Sequence, residues 1–163
     1  MPPIVRRATV GDIDDLMRLR VVMWTSLGEP APLPGEWEAH AEADLRERLP
    51  EADGDLAVFV VDGPDGRPVA AAFGVVHQLL ATPHRPDGRR GWIFDVVTEP
   101  AYRRQGLALS VLTELIDWFR SRDVAQVLLN ASTEGAPLYE RLGFTPNRDP
   151  SYGLMLTLAE STG

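Results

Sequence analysis

The residues best placed to do chemistry cluster in one turn. Thr98-Glu-Pro-Ala-Tyr-Arg-Arg-Gln-Gly-Leu-Ala108 follows a β-prone run and enters a helical pattern, with Gly106 inside the first helical turn. A helix start exposes backbone N–H groups that have no partner, and the aligned peptide dipoles add partial positive charge there. Gly106 brings no Cβ, so an anion such as a diphosphate can come close to the backbone. Arg103 and Arg104 add formal charge beside it. The same residues also suit a purely architectural turn, in which Pro100 ends a strand, Gly106 lets helix and sheet approach, and the arginines are solvated.

Composition removes most other chemistries. The 163-residue chain has no Cys, which excludes disulfides, thiolate nucleophiles and sulfur-ligated zinc or iron. All 16 basic residues are Arg, so lysine Schiff bases and a phosphate-loop lysine are absent. His40, His77 and His84 share no ligand spacing, and no metal site is expected. Sixteen basic against 24 acidic residues make −8, the wrong sign for a nucleic-acid partner. The charge is uneven. Residues 1–55 hold twelve acids and six arginines, net −6, whereas residues 85–105 hold five arginines against Asp87, Asp95 and Glu99, net +2. An anion site belongs in the second stretch. The longest apolar run, Leu56 to Val61, is far short of a membrane span, and the first seven residues lack a signal peptide's apolar stretch. The expectation is a cytoplasmic protein with no membrane partner.

The elements that must position this turn are legible in order. With 44% hydrophobic and 25% charged residues, one globular domain over residues 1–163 is expected. Ile4 to Ala8 reads as a strand. Thr9 to Asp12 caps a helix with Ile13, Leu16, Met17, Leu19, Arg20 and Met23 at helical spacing, ending near Gly28. A Pro-rich loop leads to a charged helix from Glu36 to Leu49. Leu56–Val61 and Pro68–Leu80 flank turn residues and predict an antiparallel hairpin. Gly91–Thr98, Gly106–Arg122 and Val124–Asn130 then read as strand, helix and strand, a crossover unit with parallel strands. A short helix from Ala136 to Leu142 stops at Gly143, and Phe144 onward, with Tyr152 to Leu158, supplies the last strands. The class is α/β with a mixed sheet.

The string Arg103-x-x-Gly106-x-Ala108, after a strand ending Val-Val-Thr-Glu-Pro100 and some 30 residues before Leu138-Tyr-Glu-Arg-Leu-Gly-Phe144, resembles the GNAT superfamily of N-acetyltransferases. The resemblance covers nearly the whole chain and is weakest over residues 20–55. It implies a mostly antiparallel mixed sheet with helices on both faces and a central parallel strand pair splayed around acetyl-CoA. It further implies coenzyme contacts from the backbone of Val96, Val97 and Thr98, and diphosphate contacts from Arg104, Gln105, Gly106, Leu107, Ala108 and Leu109, with Arg103 beside them. A freed N–H near Val97 would polarise the thioester carbonyl. Tyr139 stands where the family places a general acid, although it also reads as a packing tyrosine beside Leu138 and Leu142. The strand Val127–Ser132 lacks the Glu that several members use as base. Asp95, amid Trp92, Ile93, Phe94 and Val96, is the best remaining candidate, because desolvation raises a carboxyl pKa; its rivals as base are water chains or Glu134, and its alternative role is that of a structural acid. Asn130 and Ser132 are expected to position the coenzyme.

Trp24 and Trp37 flank the Pro-rich loop that in the family lines the acceptor site, so they form either an aromatic wall for a cationic amine or a helix–helix contact. With an acidic N-terminal region around that site, the expected partner is a small cationic amine acetylated by direct attack in a ternary complex. The competitors are a protein N-terminus or lysine, or a module that binds acyl-CoA without turnover. A homodimer is compatible with the family.

Overall fold

The computed structural model describes residues 2–147 and Leu156. The chain divides into two compact units, Met1–Asn130 and Ala131–Gly163.

The first unit is a five-stranded mixed sheet in the order β1 (Val5–Arg7), β2 (Leu56–Asp62), β3 (Pro68–Gln78), β4 (Arg89–Thr98) and β5 (Val127–Leu129). All pairs are antiparallel except β4 with β5, which is parallel as the crossover pattern requires. Two helices, α1 (Ile13–Ser26) and α2 (Glu36–Arg48), pack one face. Ile13, Leu16, Met17 and Leu19 of α1 and Leu45 of α2 join Val58, Val60, Ala71, Phe73 and Val97 in one core. Their three-to-four residue spacing puts them on one stripe of each helix.

The crossover helix α3 (Leu107–Ser121) packs the opposite face with Val111, Leu112, Leu115 and Phe119 fully buried. It lies close because β3 carries Gly74 beneath it. A Cβ there would stand 2.8 Å from Leu115 Cδ1 and from Phe119 Cζ.

One irregularity shapes the site. Phe73 pairs with Asp95 while Gly74 pairs with Ile93, so Phe94 is an extra residue without a partner across the ladder. Cross-strand partners share a face, and Phe73 and Gly74 point to opposite faces. Asp95 is therefore turned to the α1 side, away from Ile93 on the α3 side.

The second parallel strand is shorter than Val124–Asn130. Asp123 takes a φ of 55°, and the N–H of Val124 donates to Phe119 O at 3.1 Å, so this backbone closes α3 and cannot join the sheet. In the second unit, α4 (Ala136–Arg141) ends as the sequence implies. Gly143 sits at φ 93°, and the N–H of Phe144 donates to Tyr139 O at 3.0 Å. That bond makes Phe144 part of a helix cap, and residues 144–147 form no strand. Of the expected strand Tyr152 to Leu158, all but Leu156 lies outside the described residues.

Candidate active site

The turn after β4 is a cradle of backbone donors. Pro100–Tyr102 form one 3-10 turn, Arg103 is extended, and Arg104 and Gly106 adopt left-handed φ values of 61° and 77° on either side of Gln105. Among the described residues, no protein group accepts from the N–H groups of Arg104 through Leu109; the first to bond is Ser110, to Gly106 O at 3.1 Å. A Cβ on Gly106 would meet nothing within 4 Å, so the approach to these donors is open. Successive N–H groups curled in this way at a helix start make an anion-binding concavity.

The two arginines divide the work. Arg103 donates from Nε to Thr98 O at 3.1 Å and from Nη2 to Ser26 Oγ at 2.8 Å, bracing the turn against α1. The exposed guanidinium of Arg104 has no partner among the described residues.

β4 leaves β5 beside this turn. The parallel ladder runs only through Gly91–Val127, Trp92–Leu128 and Ile93–Leu129. From Asp95 to Thr98, β4 pairs with β3 on one side and with no described strand on the other. Val97 is buried on the α1 side and Val96 and Thr98 are half-buried, with the Thr98 hydroxyl sealed in without a partner. What these residues offer along the open edge is their backbone, as the sequence motif implies.

Asp95 is buried, and its Oδ2 accepts from Arg20 Nε at 2.7 Å. Burial pushes the carboxyl above its ordinary range, while Arg20 pulls the other way. The Arg20 guanidinium also lies 4.8 Å from the Trp24 ring centre, and Trp24 meets Trp37 edge-to-face at 5.3 Å. A charged carboxylate, a guanidinium and two indoles thus form one stack from the β4 bulge to the loop between α1 and α2. Trp37 is tied to that loop by Nε1 donating to Leu33 O at 2.8 Å. Arg20 is the member that sequence reading missed. Its signal was an arginine at the same helical spacing as the apolar stripe of α1.

The acidic character of the N-terminal region is partly cancelled. Asp12 is gripped by Arg6, which holds its carboxyl below the usual range, and Asp15 pairs with Arg18 and Arg67. The acids left facing solvent are spread along the region and include Asp14, Glu29, Glu36, Glu47 and Glu51.

In the second unit, burial pushes the Tyr139 phenol above its ordinary value near 10, so it is protonated at neutral pH. Its ring packs edge-on against Phe144 at 5.9 Å. Ser132 Oγ accepts from the Gly135 N–H at 3.1 Å, a turn that leads into α4. Asn130 is exposed at the end of the first unit, two residues beyond Leu128 and on the same face. Among the described residues there is no cluster of metal-binding side chains, and no helix is long and apolar enough to cross a membrane.

Comparison with known proteins agrees with this geometry. Residues 15–144 match the acetyltransferase (GNAT) family. Glucosamine 6-phosphate N-acetyltransferase of Trypanosoma brucei brucei is 35% identical over 120 residues, 72% of this chain and 75% of that one. Ribosomal protein bS18-alanine N-acetyltransferase of Escherichia coli K12 is 40% identical over 77 residues, 45% of this chain and 47% of that one. A predicted acetyltransferase from Clostridium acetobutylicum, solved with acetyl-CoA, shares the fold with a TM-score of 0.81 at 23% identity, covering 96% of this chain and 97% of that one. With the family matched over most of its length, the anion cradle at the start of α3 and the parted parallel strands beside it, this chain belongs to the GNAT family of acetyltransferases.

Proposed function

We propose that this chain, an acyltransferase whose co-substrate is acetyl-CoA, acetylates the primary amine of a small molecule by direct attack with both substrates bound. The observation that carries the reading is the parting of β4 from β5 after Ile93, next to the open donor cradle at Gly106. The residues present fit the coenzyme. The unpartnered N–H groups of Arg104 to Leu109, the missing Cβ of Gly106 and the free charge of Arg104 suit a diphosphate. The open edge formed by Val96, Val97 and Thr98 suits the amides of a pantetheine arm, which pair with it as an added strand does.

Bound acetyl-CoA supplies an acetyl group activated as a thioester, with a thiolate to be released. The protein's part is placement and proton movement. The N–H near Val97 polarises the carbonyl. The Tyr139 phenol, kept protonated by burial, donates to the departing sulfur. Asp95, raised by burial, takes the proton from the ammonium group of the acceptor, and Arg20 holds it in place. Asn130 and Ser132 position the coenzyme by their polar groups, and Trp24 and Trp37 form the acceptor-side wall.

The relatives point to two acceptor classes. The trypanosomal protein takes an amino-sugar phosphate by name, and the longer match to it favours a small molecule. A protein amino terminus is the second reading, favoured by the 40% identity to the ribosomal-protein enzyme over the shorter span. The test is release of free thiol from acetyl-CoA with a panel of small amines and peptides at two salt concentrations. Small amines outpacing every peptide is the expected result. Peptides in front would establish the second reading, and acetyl-CoA binding without transfer to any amine would leave a binding module.

A further inference from the structure

We infer that the acceptor carries an anionic group, phosphate or carboxylate, several bonds from its amine, and that Arg90 binds it; this rests on the acetyl transfer proposed above. The ladder pairs Arg90 with His77, Trp92 with Val75 and, past the bulge, Asp95 with Phe73. Residues 73, 75 and 77 alternate on one strand, so Arg90, Trp92 and Asp95 share the α1 face. The helices cover that face at Phe73 and Val97, which are buried, but not at its other end, where Val75 and Trp92 are half-buried and His77 is exposed.

Arg90 stands at that uncovered end, and a buried Nε with no acceptor sets it apart from the exposed arginines that also make no ion pair among the described residues, Arg46 and Arg104 included. Arg6, Arg18, Arg20, Arg48, Arg67, Arg120 and Arg122 all pair with carboxylates. Arg90 makes no ion pair and no side-chain hydrogen bond among the described residues, and its Nε is buried without an acceptor. Arg7 also has a buried free Nε, but its other nitrogens donate to the carbonyls of Ala52, Glu51 and Leu56. A half-buried guanidinium with an unfilled donor is a site awaiting an acceptor, and its planar fork matches a phosphate or carboxylate. Trp92 lies between it and the point where β4 and β5 part, giving an apolar floor for the body of the ligand.

Spacing sets the kind of molecule. The partners of Arg90 and Asp95 on β3, His77 and Phe73, are four residues apart, about 13 Å along the strand, and the arginine arm spans part of that. The amine at Asp95 and the anion at Arg90 therefore sit at opposite ends of the ligand. An α-amino acid, whose carboxylate is on the carbon next to the amine, is too short; an amino sugar with an anion on its far carbon has the right reach.

The test compares three acceptors, a neutral amino sugar, its 6-phosphate and its 6-carboxylate, on wild type, Arg90→Gln and Arg90→Lys. Wild type should favour one anionic acceptor at least 10-fold in kcat/KM, and which one identifies the anion. Arg90→Gln should raise KM for that acceptor 10- to 100-fold with kcat nearly unchanged, leave the neutral sugar and acetyl-CoA affinity unaltered, and be partly rescued in Arg90→Lys. Equal loss on charged and neutral acceptors, or none on either, overturns the anion site while leaving acetyl transfer intact. Wild type that transfers to no amine in a wider panel overturns both.

Discussion

Gly106 offers a way to separate backbone strain from ligand approach, because the fold contains a matched control. Gly106 has φ 77° and Gly66, at the tip of the β2–β3 hairpin, has φ 78°; a Cβ on either would meet nothing within 4 Å. Replacing each with Ala imposes the same left-handed penalty of about 1–2 kcal/mol, about 2–8 °C in Tm for a domain of this size. Neither gains a clash within the protein, so the two melting curves should shift alike. Their coenzyme affinities should not. In Gly106→Ala the new methyl occupies the open side of the donor cradle and pushes a diphosphate off at least one N–H. Losing one charge-assisted hydrogen bond costs about 1.5–3 kcal/mol, so the acetyl-CoA Kd should rise roughly 10- to 150-fold. Gly66→Ala should bind as wild type does, and Gly106→Val should show no measurable binding. Thermal melts by circular dichroism with calorimetric titration of acetyl-CoA provide both numbers. Equal Kd values for the two Ala variants would refute the assignment of the diphosphate to this cradle, whatever the melts show.

Other expectations probe the chemistry and the frame. Tyr139→Phe should bind acetyl-CoA normally and lose about 10²–10⁴ in kcat; full turnover removes the general-acid role. Asp95→Asn should abolish the acid limb of the kcat/KM profile. Arg20 pulls the Asp95 pKa down against burial, so Arg20→Gln should move that limb to higher pH, and a limb that stays put argues that another group is the base. Asp12→Asn should cost about 1–3 kcal/mol at pH 7 by removing the charge that Arg6 pairs with there, while Arg6 keeps its bonds to Asp62. Asp12 has a lowered folded pKa, so its contribution is present above the unfolded carboxylate value near 4 and disappears as pH falls through the folded one. Urea melts of wild type and variant should therefore converge at low pH; a constant gap would mean the loss is packing, not charge.

Elements whose signal is local were legible from the residues alone. The stripe Ile13, Leu16, Met17 and Leu19 predicts α1, the turn Asp62 to Arg67 predicts the hairpin, and Gly143 predicts the end of α4, because each rests on contacts a few residues apart. The expected strand began three residues too early, at Val124, although the carbonyl of Gln126 already accepts from the Gly91 N–H of β4 at 2.9 Å. What holds Val124 out of the strand is its bond to Phe119, a helix-closing contact that periodicity does not encode.

The same distinction runs through the site. The turn at residues 104–109 presents free backbone N–H groups and one glycine, so a short string suffices to announce it. The environment of Asp95 depends instead on one unpaired residue, Phe94, which turns the carboxyl from the α3 face to Arg20 on the α1 face. No pattern in Trp92 to Val96 marks that insertion. Charge counting misleads for a related reason. The net −6 of residues 1–55 suggests an acidic funnel, but that sum, which already counts Arg6 and Arg18, does not say where the surplus lies: Asp12 and Asp15 are held in ion pairs, the latter also by Arg67 from outside the stretch. A ligand meets the charges that folding leaves unpaired. On the α1 face of β4 the carboxylate is already matched by Arg20, and the cation at Arg90 is not. The charge left without a partner at that end of the strand is a cation, in a protein of net charge −8. On the proposed reading, an amine with an anion at its far end would meet both Asp95 and the vacant guanidinium, whereas a polyamine would set a second cation against Arg90.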